Sequence, residues 1–339
     1  MKYQELGETG RRVSRICLGT WQLGGAWGSD YGEGIAAVGA AFDLGVDFFD
    51  TAAAYGDGAA ERALATGLGD LVKGHREELT IATKGGIEVR IAADGSESSF
   101  RNSDPAFLRS SLERSLRNLG LDYVDVFFVH WPDPTIPLAE TAGLLGELVA
   151  AGLVRFVGLS NFSVAQMEEL ASTRPVDVAQ LPYNLLDRRA GEVAIPFCGE
   201  RGIGVMGWSG LAHGVLSGTL HRGQLFPAGD WRAGHPAFAG KRFEAVMDGV
   251  EQLTEIAAGL GCTLPQLALA WILADEATIV PIVGAQVPQH IVDSAAAVEV
   301  ELDAADLRRI AAAAERIPGF SLEAEDQVRV RPPADSDLV

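Results

Sequence analysis

The sequence predicts an α/β protein in which eight parallel strands close into a single (β/α)8 barrel, a TIM barrel. Short apolar segments alternate with helical segments about eight times along the 339 residues. The apolar segments lack regular polar alternation, as expected for parallel strands that are buried on both faces. No GxGxxG turn follows an early strand, which disfavours a doubly wound dinucleotide-binding fold.

The N-terminal part predicts a small β-hairpin followed by the first repeats. Residues 3–6 and 13–17 flank a turn, and residues 16–19 lead into a loop rich in glycine and tryptophan at 20–34. The next helices are expected at 35–44, 59–71, 105–119, 138–150, 164–171 and 190–200. The strands between and after them are expected at 46–49, 79–83, 123–129, 154–159, 176–181 and 203–207.

A long segment after the seventh strand breaks this rhythm. Residues 210–241 are rich in Gly, Pro, His and Trp and show no clear period, and such insertions in α/β units are usually functional loops. The remaining elements are expected as helices at 243–260, 265–273, 289–298 and 304–316, with a strand at 278–283. One domain over residues 1–320 is therefore predicted, followed by a flexible acidic tail at 321–339.

Composition narrows the class of partner. The 27 Lys and Arg against 46 Asp and Glu give a formal net charge of −19, which disfavours binding to nucleic acid or to an anionic membrane. Cys17, Cys198 and Cys262 lie far apart in the sequence and are expected to be buried and reduced. Neither a signal segment nor an apolar run of about 18 residues is present, so a cytoplasmic protein is expected.

Polar side chains follow the carboxyl ends of the predicted strands, which meet on one face of a parallel barrel. The second strand ends in Asp50, with Tyr55 five residues later, the third ends in Lys84, and the fourth is followed by His130. Each residue alone also has an ordinary structural interpretation, such as a helix cap, a surface lysine or a core histidine. Their occurrence together on three consecutive strands predicts a proton-transfer set.

The chemistry of this set suits carbonyl reduction. A phenol with a pKa of about 10 is a weak acid at neutral pH, and a nearby ammonium group lowers that pKa. A carboxylate keeps the ammonium charged, and a neutral histidine orients a carbonyl. The hydride has to come from a nicotinamide cofactor. Gln180 and Asn161 suit recognition of its carboxamide, and Trp208 offers a flat surface for its ring.

The sequence resembles the aldo-keto reductases over about residues 3–317. The resemblance rests on motifs in the same order along the chain: DTAAAYGDG (50–58), ATKGG (82–86), DVFFVHWPD (125–133), GLVRFVGLSNFS (152–163), QLPYNLLDR (180–188), GVMGWSGLAHGVLSG (204–218) and PIVGAQVPQHIVDS (281–294). Residues 230–244 are similar to the loop of bacterial members related to sugar and inositol dehydrogenases. This family implies an NAD(P)-dependent oxidoreductase that interconverts a carbonyl compound, with sugars among the candidates, and an alcohol.

The resemblance also implies roles for individual residues. Tyr55 is expected to be the general acid, Lys84 to depress its pKa, Asp50 to pair with Lys84, and His130 to orient the carbonyl. Cofactor contacts are implied at Gly19, Thr20, Trp21, Asp50, Ser160, Asn161, Gln180, Trp208, Ser209, Gly210, Leu211, Gly214, Leu216, Gly218, Gly284, Ala285, Gln286, His290, Asp293 and Ser294. Substrate contacts are implied at Trp21, Trp27, Tyr55, His130 and Trp131. No metal site is predicted.

Two departures from the family pattern concern the cofactor. Gly210 replaces the proline of the usual SPLA motif, which frees the backbone beneath the expected pyrophosphate. Gln286 stands where a basic residue is expected to meet the 2′-phosphate of NADP(H), and His290 replaces a polar or basic partner. NADP(H), the family default, is favoured slightly over NAD(H).

Other interpretations remain open. Some members of this superfamily are cofactor-binding regulatory subunits of ion channels with little turnover. A (β/α)8 isomerase or lyase is a third alternative, but only Asp50 and His130 offer themselves as ligands for its metal ion. A small carbonyl or alcohol is the expected partner, and both a monomer and a homo-oligomer are compatible with the sequence.

Overall fold

The computed structural model describes residues 1–25, 30–91, 97–227, 230–275, 279–318, 320 and 328–331. Its strands are β1 (Tyr3–Glu5), β2 (Arg12–Ser14), β3 (Cys17–Gly19), β4 (Phe48–Asp50), β5 (Thr80–Gly85), β6 (Ile87–Ile91), β7 (Glu97–Arg101), β8 (Val124–Val129), β9 (Val154–Ser160), β10 (Val178–Pro182), β11 (Gly204–Trp208), β12 (Val280–Gly284) and β13 (Arg329–Val330). Its α-helices are α1 (Tyr31–Asp43), α2 (Ala59–Leu68), α3 (Leu71–His75), α4 (Pro105–Leu119), α5 (Leu138–Ala150), α6 (Val164–Ala171), α7 (Ala194–Glu200), α8 (Gly240–Gly259), α9 (Leu264–Leu273), α10 (Pro288–Ala295) and α11 (Ala304–Ala314).

Eight of these strands form the predicted barrel. They pair in the closed order β3, β4, β5, β8, β9, β10, β11 and β12, and every pair is parallel. Between β8 and β12 the long connections carry helices, as parallel strands require. The (β/α)8 architecture and the separate N-terminal hairpin of β1 and β2 are thereby confirmed.

Local sequence accounts for the helix boundaries, as α4 illustrates. The Asp104 side chain accepts hydrogen bonds from the N–H groups of Ala106 and Phe107, and Pro105 occupies the first helical position. Gly120 ends the helix with a φ of 66°, a conformation that costs glycine little. The apolar face of α4 is buried against the barrel, with Leu108 and Leu112 wholly inaccessible to solvent.

The interior of the barrel is filled from its amino end. Leu6 and Val13, from the N-terminal hairpin, pack with Phe48, Phe128 and Met206 inside the ring of strands. This apolar plug covers the end of the barrel at which the strands begin. The opposite end, where the strands finish, is left to polar side chains.

The structure contains a second small sheet that was not predicted from the sequence. β6 and β7 form an antiparallel hairpin directly after β5, and β13 adds to β7 as a parallel strand. Residues 328–331 of the expected tail are therefore held against this hairpin rather than extended freely, and the buried side chain of Val328 contributes to the contact. The other residues of that tail, 321–327 and 332–339, lie outside the described residues.

Two predicted helices are shorter than expected. The helix expected at 59–71 ends at Leu68, because Gly69 adopts a φ of 48°, and the chain restarts as α3. The helix expected at 190–200 begins as an isolated turn at 189–191, and α7 starts only at Ala194. Both differences lie at helix ends, where an apolar pattern says least about boundaries.

The loop after β11 is ordered by an aromatic cluster. It contains short helical turns at 212–217, 231–234 and 236–238. Phe238 is buried and its ring lies within 6 Å of those of Phe226, Trp231, Phe243 and Phe320. This cluster continues into a second apolar core between the loop, α8, α9 and α11.

The structure also addresses the expectations drawn from composition. Cys17, Cys198 and Cys262 carry free thiols, but the expectation that all three are buried is wrong for Cys262, which is only partly covered. Among the described residues no single helix has the length and apolar composition of a membrane span, although α8 and α9, bent by 83° between them, pass that test as a pair.

Candidate active site

The strand ends that carry the predicted site lie at one level of the barrel. Asp50 pairs with Gly19 of β3 and with Ala82 of β5, and Gly284 of β12 pairs with the same Gly19. Thr20 donates both its N–H and its hydroxyl to the carbonyl oxygen of Asp50. Residues that are more than 200 positions apart in sequence therefore meet at the carboxyl end of the barrel.

Lys84 is the centre of a buried polar cluster. Its Nζ donates to Asp50 Oδ2 at 2.5 Å, to the carbonyl oxygen of Thr51 at 2.9 Å and to Tyr55 Oη at 3.2 Å. These contacts use all three hydrogens of the ammonium group. The structure thus brings together Asp50, Tyr55 and Lys84, as the strand-end pattern predicts.

A close backbone contact fixes the loop that carries Tyr55. Gly24 and Gly56 pack so tightly that a Cβ on Gly24 would lie 2.7 Å from the carbonyl carbon of Tyr55, and one on Gly56 would lie 2.3 Å from Gly24 O. Asp57 and Gly58 continue the loop with φ values of 48° and 78°. Side chains at the two close contacts would push Tyr55 away from Lys84.

Glu61 supports the same loop from behind, and the sequence reasoning missed it. This fully buried carboxylate accepts hydrogen bonds from Thr83 Oγ1 and Asn118 Nδ2, both at 2.8 Å. It thereby ties α2, which follows the Tyr55 loop, to the residue before Lys84 in β5. The available signal was an acidic residue on the apolar face of α2, beside Ala60 and Leu64.

His130 is buried beside Tyr55. Its ring stands edge-on to the Tyr55 ring, with 5.6 Å between the ring centroids. Burial, followed by the charge of Lys84, holds the pKa of His130 well below its usual value. The imidazole is therefore neutral at neutral pH, and its Nδ1 has no hydrogen-bond partner among the described residues.

The pKa of the Tyr55 phenol results from opposing effects of burial and of the neighbouring charges. Burial raises the pKa of Tyr55, and the charge of Lys84 opposes this rise without cancelling it, while Asp50 adds to it. Burial lowers the pKa of Lys84, but the charges of Asp50 and Tyr55 more than compensate, so that it lies above its usual value. Lys84 lowers the pKa of Tyr55, as expected, but burial outweighs the effect of this single ammonium, which Asp50 partly neutralises. Tyr55 is held in its acid form.

The three residues expected to hold a carboxamide form a hydrogen-bonded network across the strand ends. Gln180 Nε2 donates to Asp50 Oδ1 at 2.9 Å. Asn161 Nδ2 donates to the carbonyl oxygen of His130 and to Ser160 Oγ, both at 3.0 Å, and Asn161 Oδ1 accepts from Trp208 Nε1 at 3.2 Å. Asn161 adopts a φ of 66°, so it joins three strand ends at the cost of a left-handed backbone.

Left-handed conformations are concentrated in the segment after β11. Ser209, Ala212 and His213 have φ values of 60°, 48° and 55°, although such conformations cost a non-glycine residue about 1–3 kcal/mol each. Arg232 supports the segment by donating to the carbonyl oxygen of His213 at 3.1 Å. The Arg232 guanidinium is itself paired with Asp230, and strained backbone of this kind is typical of a segment that meets a ligand.

The other residues expected in this segment differ in what they expose. Leu216 is wholly buried in the second core, so only its backbone faces the site. Gly210 lies against α9, where a Cβ would be 3.2 Å from Leu269 Cδ2. Gly214 and Gly218 have positive φ values of 94° and 76°. Leu211 is partly buried between the two cores.

The segment expected at the adenosine end, residues 284–294, has histidine as its only basic residue type. Residues 284–294 contain neither Lys nor Arg. The Gln286 N–H donates to His290 Nδ1 at 3.3 Å, and Asp293 Oδ1 accepts from Gln289 Nε2 at 2.7 Å. Ala285 and Ser294 are buried, whereas His290 and Asp293 are exposed.

All but one of the residues expected to contact the substrate lie in the described part of the chain. Trp131 follows His130 directly and is half-buried, and Trp21 opens a helical turn at the end of β3. Trp27 lies outside the described residues.

Comparison with known proteins agrees with this geometry. A model of the aldo/keto reductase family matches residues 15–315. The chain belongs to the aldo/keto reductase family. It is 34% identical to the aldo-keto reductase YhdN of Bacillus subtilis over 86% of this chain and 87% of that protein. It is 33% identical to an NADH-specific methylglyoxal reductase of Escherichia coli over 93% of this chain and the full length of that protein.

The fold comparison agrees. The glycerol dehydrogenase of Gluconobacter oxydans superposes with a TM-score of 0.84 at 27% identity, covering 95% of this chain and 97% of that one. Membership of the family makes this reductase an NAD(P)H-dependent oxidoreductase that acts on carbonyl compounds. The named relatives include both a reductase and a dehydrogenase.

Proposed function

We propose that this reductase interconverts a carbonyl compound and an alcohol with Tyr55 as the general acid and base. The observation that carries the proposal is the position of Lys84 Nζ, 3.2 Å from Tyr55 Oη and paired with Asp50. The ammonium group is close enough to stabilise the phenolate that remains once the proton has left. Geometry and charge therefore support the same residue.

The roles of the side chains follow from their protonation states. The nicotinamide cofactor supplies or accepts the hydride when it is bound. In reduction, neutral His130 orients the carbonyl oxygen, and Tyr55 gives its hydroxyl proton to the developing alkoxide. Lys84 stays protonated because Asp50 compensates its charge. In oxidation the Tyr55 phenolate takes the proton of the alcohol.

The residues present fit the cofactor. Thr51 Oγ1, His130 Nδ1 and Ser209 Oγ are buried polar atoms without hydrogen-bond partners among the described residues, and such atoms usually meet a ligand or water. Half-buried Trp208 is available to stack on the nicotinamide ring, with Ser160, Asn161 and Gln180 around its carboxamide. The left-handed segment 209–218 would hold the pyrophosphate, and residues 284–294 the adenosine.

Replacement of Tyr55 tests the assignment. Tyr55→Phe keeps the ring beside His130 but removes the proton, so turnover of a nitrobenzaldehyde with NADH or NADPH should fall by about 10²-fold or more. Tyr183→Phe is a matched control, because it removes the hydroxyl of another buried tyrosine, bonded to Asp275 at 2.9 Å. Turnover of Tyr55→Phe at the wild-type rate would exclude Tyr55 as the acid. Tight cofactor binding without turnover of any carbonyl by the wild type would instead favour a regulatory subunit.

We also propose that the adenosine end accepts NADH at least as well as NADPH. The family default favours NADP(H) slightly. Residues 284–294, however, contain no guanidinium or ammonium group to pair with its 2′-phosphate. The similarity to a relative named as NADH-specific supports the same proposal. The exposed carboxylate of Asp293 would repel a phosphate dianion.

Titration of both coenzymes by quenching of tryptophan fluorescence measures this preference directly. Gln286→Arg should shift the ratio of the dissociation constants towards NADPH by about tenfold or more, because a hydrogen bond between two charged groups is among the stronger ones. Gln289→Arg adds the same charge three residues away and is the matched control. Equal ratios in both variants would mean that the 2′-phosphate does not reach residue 286.

A further inference from the structure

Arg101 is a buried cation that the catalytic roles described above leave unused. It is the last residue of β7, and only 8% of its surface is exposed to solvent. Its Nε donates to the carbonyl oxygen of Val328 at 3.1 Å. Over the described parts of the chain its two Nη nitrogens have no hydrogen-bond partner and it has no carboxylate partner. A guanidinium in this position is costly unless an anion compensates it.

Arg101 lies at the carboxyl end of the barrel. The following residue, Asn102, donates its N–H to Gly86 O, directly beyond the end of β5. The Arg101 guanidinium stands 5.1 Å from the centre of the Trp131 ring. Trp131 is the neighbour of His130, whose ring contacts Tyr55. This cation therefore contacts the residue that directly follows His130 in the sequence.

The surroundings of Arg101 do not neutralise it. The nearest acid of the hairpin, Glu88, accepts from Arg90 Nε at 2.7 Å and from Asn102 Nδ2 at 2.8 Å. Arg90 and Arg331 both contribute to a pKa of Glu88 below its usual value. The described residues of β6, β7 and 328–331 carry four arginines against two glutamates, namely Arg90, Arg101, Arg329 and Arg331 against Glu88 and Glu97. The chain as a whole has a formal net charge of −19, so this positive region is local.

We propose that Arg101 binds a carboxylate on the substrate, so that the reductase prefers small carbonyl compounds that also carry an acid group. The inference rests on the proposed function, because the carboxylate belongs to the same molecule as the reacting carbonyl. A guanidinium with two free Nη nitrogens matches the two oxygens of a carboxylate.

Residues 328–331 help to position the Arg101 side chain. By accepting from Nε, Val328 O holds the guanidinium and leaves its outer nitrogens to a ligand, while stacking on Trp131 fixes the plane of the group. β13 pairs Val330 with Arg101 itself. β13 therefore helps to position Arg101 against Trp131, the residue after His130.

A pair of aldehydes that differ only in charge tests the proposal. 4-Carboxybenzaldehyde and methyl 4-formylbenzoate have the same ring and carbonyl, and the ester hides the acid. We expect Arg101→Gln to lower the ratio of kcat/KM for the acid to that for the ester by about tenfold or more, the range for a lost hydrogen bond to a charged group. Arg101→Lys should retain part of the preference. Arg90→Gln removes a charge from the same hairpin and should leave the ratio unchanged.

Failure of this proposal and failure of the proposed function would give different results. If Arg101→Gln lowers kcat/KM for both aldehydes equally, or for neither, Arg101 is only structural and the proposal is wrong. Circular dichroism shows whether Arg101→Gln is folded. If it is not, the salt dependence of the wild type tests the proposal instead, because raising the salt from 0.05 to 0.5 M should lower kcat/KM for the acid only. Equal salt dependence for the two aldehydes overturns the proposal. If the wild type turns over neither aldehyde, the proposed function fails, and quenching of tryptophan fluorescence by 4-carboxybenzaldehyde in wild type against Arg101→Gln still tests anion binding.

Discussion

Replacement of Lys84 by methionine is expected to move the pH dependence of alcohol oxidation. Methionine keeps an unbranched side chain of similar length but removes the ammonium group that contacts Tyr55 Oη at 3.2 Å. In the proposed mechanism oxidation needs the Tyr55 phenolate, so its rate should rise with pH towards the pKa of Tyr55. Burial already raises that pKa, and Lys84 is the group that opposes the rise. Without Lys84 the rise in oxidation rate moves to higher pH.

The size of the displacement follows from the geometry. Two unit charges 3.2 Å apart interact by about 5 kcal/mol at an effective dielectric constant of about 20, which corresponds to roughly four pKa units. Asp50, which lies on the other side of the same ammonium group, cancels part of this interaction. It also takes up a proton more readily once Lys84 is gone, because burial raises its pKa. We therefore expect a net displacement of about one to two units, or about ten- to a hundredfold in the phenolate fraction at a given pH.

The assay is kcat/KM for oxidation of an alcohol between pH 6 and pH 10, with either NAD or NADP. Lys73→Met is the matched control, because Lys73 is an exposed lysine paired with Asp70 at the surface. Thermal unfolding followed by circular dichroism confirms that Lys84→Met is folded over the same range. A pH profile of Lys84→Met that coincides with that of the wild type would refute the assignment of the pH-dependent group to Tyr55 beside Lys84.

Two further predictions concern stability. Burial lowers the pKa of His213 to about 4, so between pH 6.5 and 4 this residue binds more protons in the unfolded chain than in the folded one, and its contribution to stability falls as pH falls. We expect His213 to account for about 2 kcal/mol of the stability lost between pH 7.5 and 5, and His213→Asn to make that loss smaller by the same amount, measured by urea unfolding of both proteins at both pH values. Asp125 is wholly buried and accepts from Ile81 N, Arg76 and Arg155, so Asp125→Asn should destabilise the fold by about 3 kcal/mol, whereas a change below 1 kcal/mol would show that the arginines find other partners.

The barrel and the polar residues at its strand ends were predictable because their physical causes are short-range in the sequence. A strand buried on both faces needs a continuous apolar run, and such runs mark each barrel strand from β4 to β12 to within about two residues at either end. Parallel strands end on one face, so a carboxylate, a lysine and a histidine at three consecutive strand ends are brought together. The proximity of Asp50, Lys84 and Tyr55 needed no further information.

The small sheet at the barrel mouth was not predictable in this way. β7 reads ESSFR, which has neither an apolar run nor clean alternation, and its partner β13 lies more than 200 residues further along the chain. The position of Arg101 depends on this pairing, so no local pattern marks it. Glu61 was missed for a related reason, because its two hydrogen-bond partners come from β5 and α4.

The net pKa of Tyr55 illustrates a different limit, which lies in the balance of opposing effects. Residue types alone give the sign of each pairwise effect: Lys84 lowers the pKa and Asp50 raises it. They do not give the cost of burial, which here is the largest contribution and makes the net shift of the Tyr55 pKa upward. Asp50 is needed to keep a wholly buried Lys84 charged, yet the same carboxylate weakens the effect of that charge on Tyr55. Tyr55 therefore keeps its proton at neutral pH. This is the protonation state that donation of a proton to a carbonyl oxygen requires.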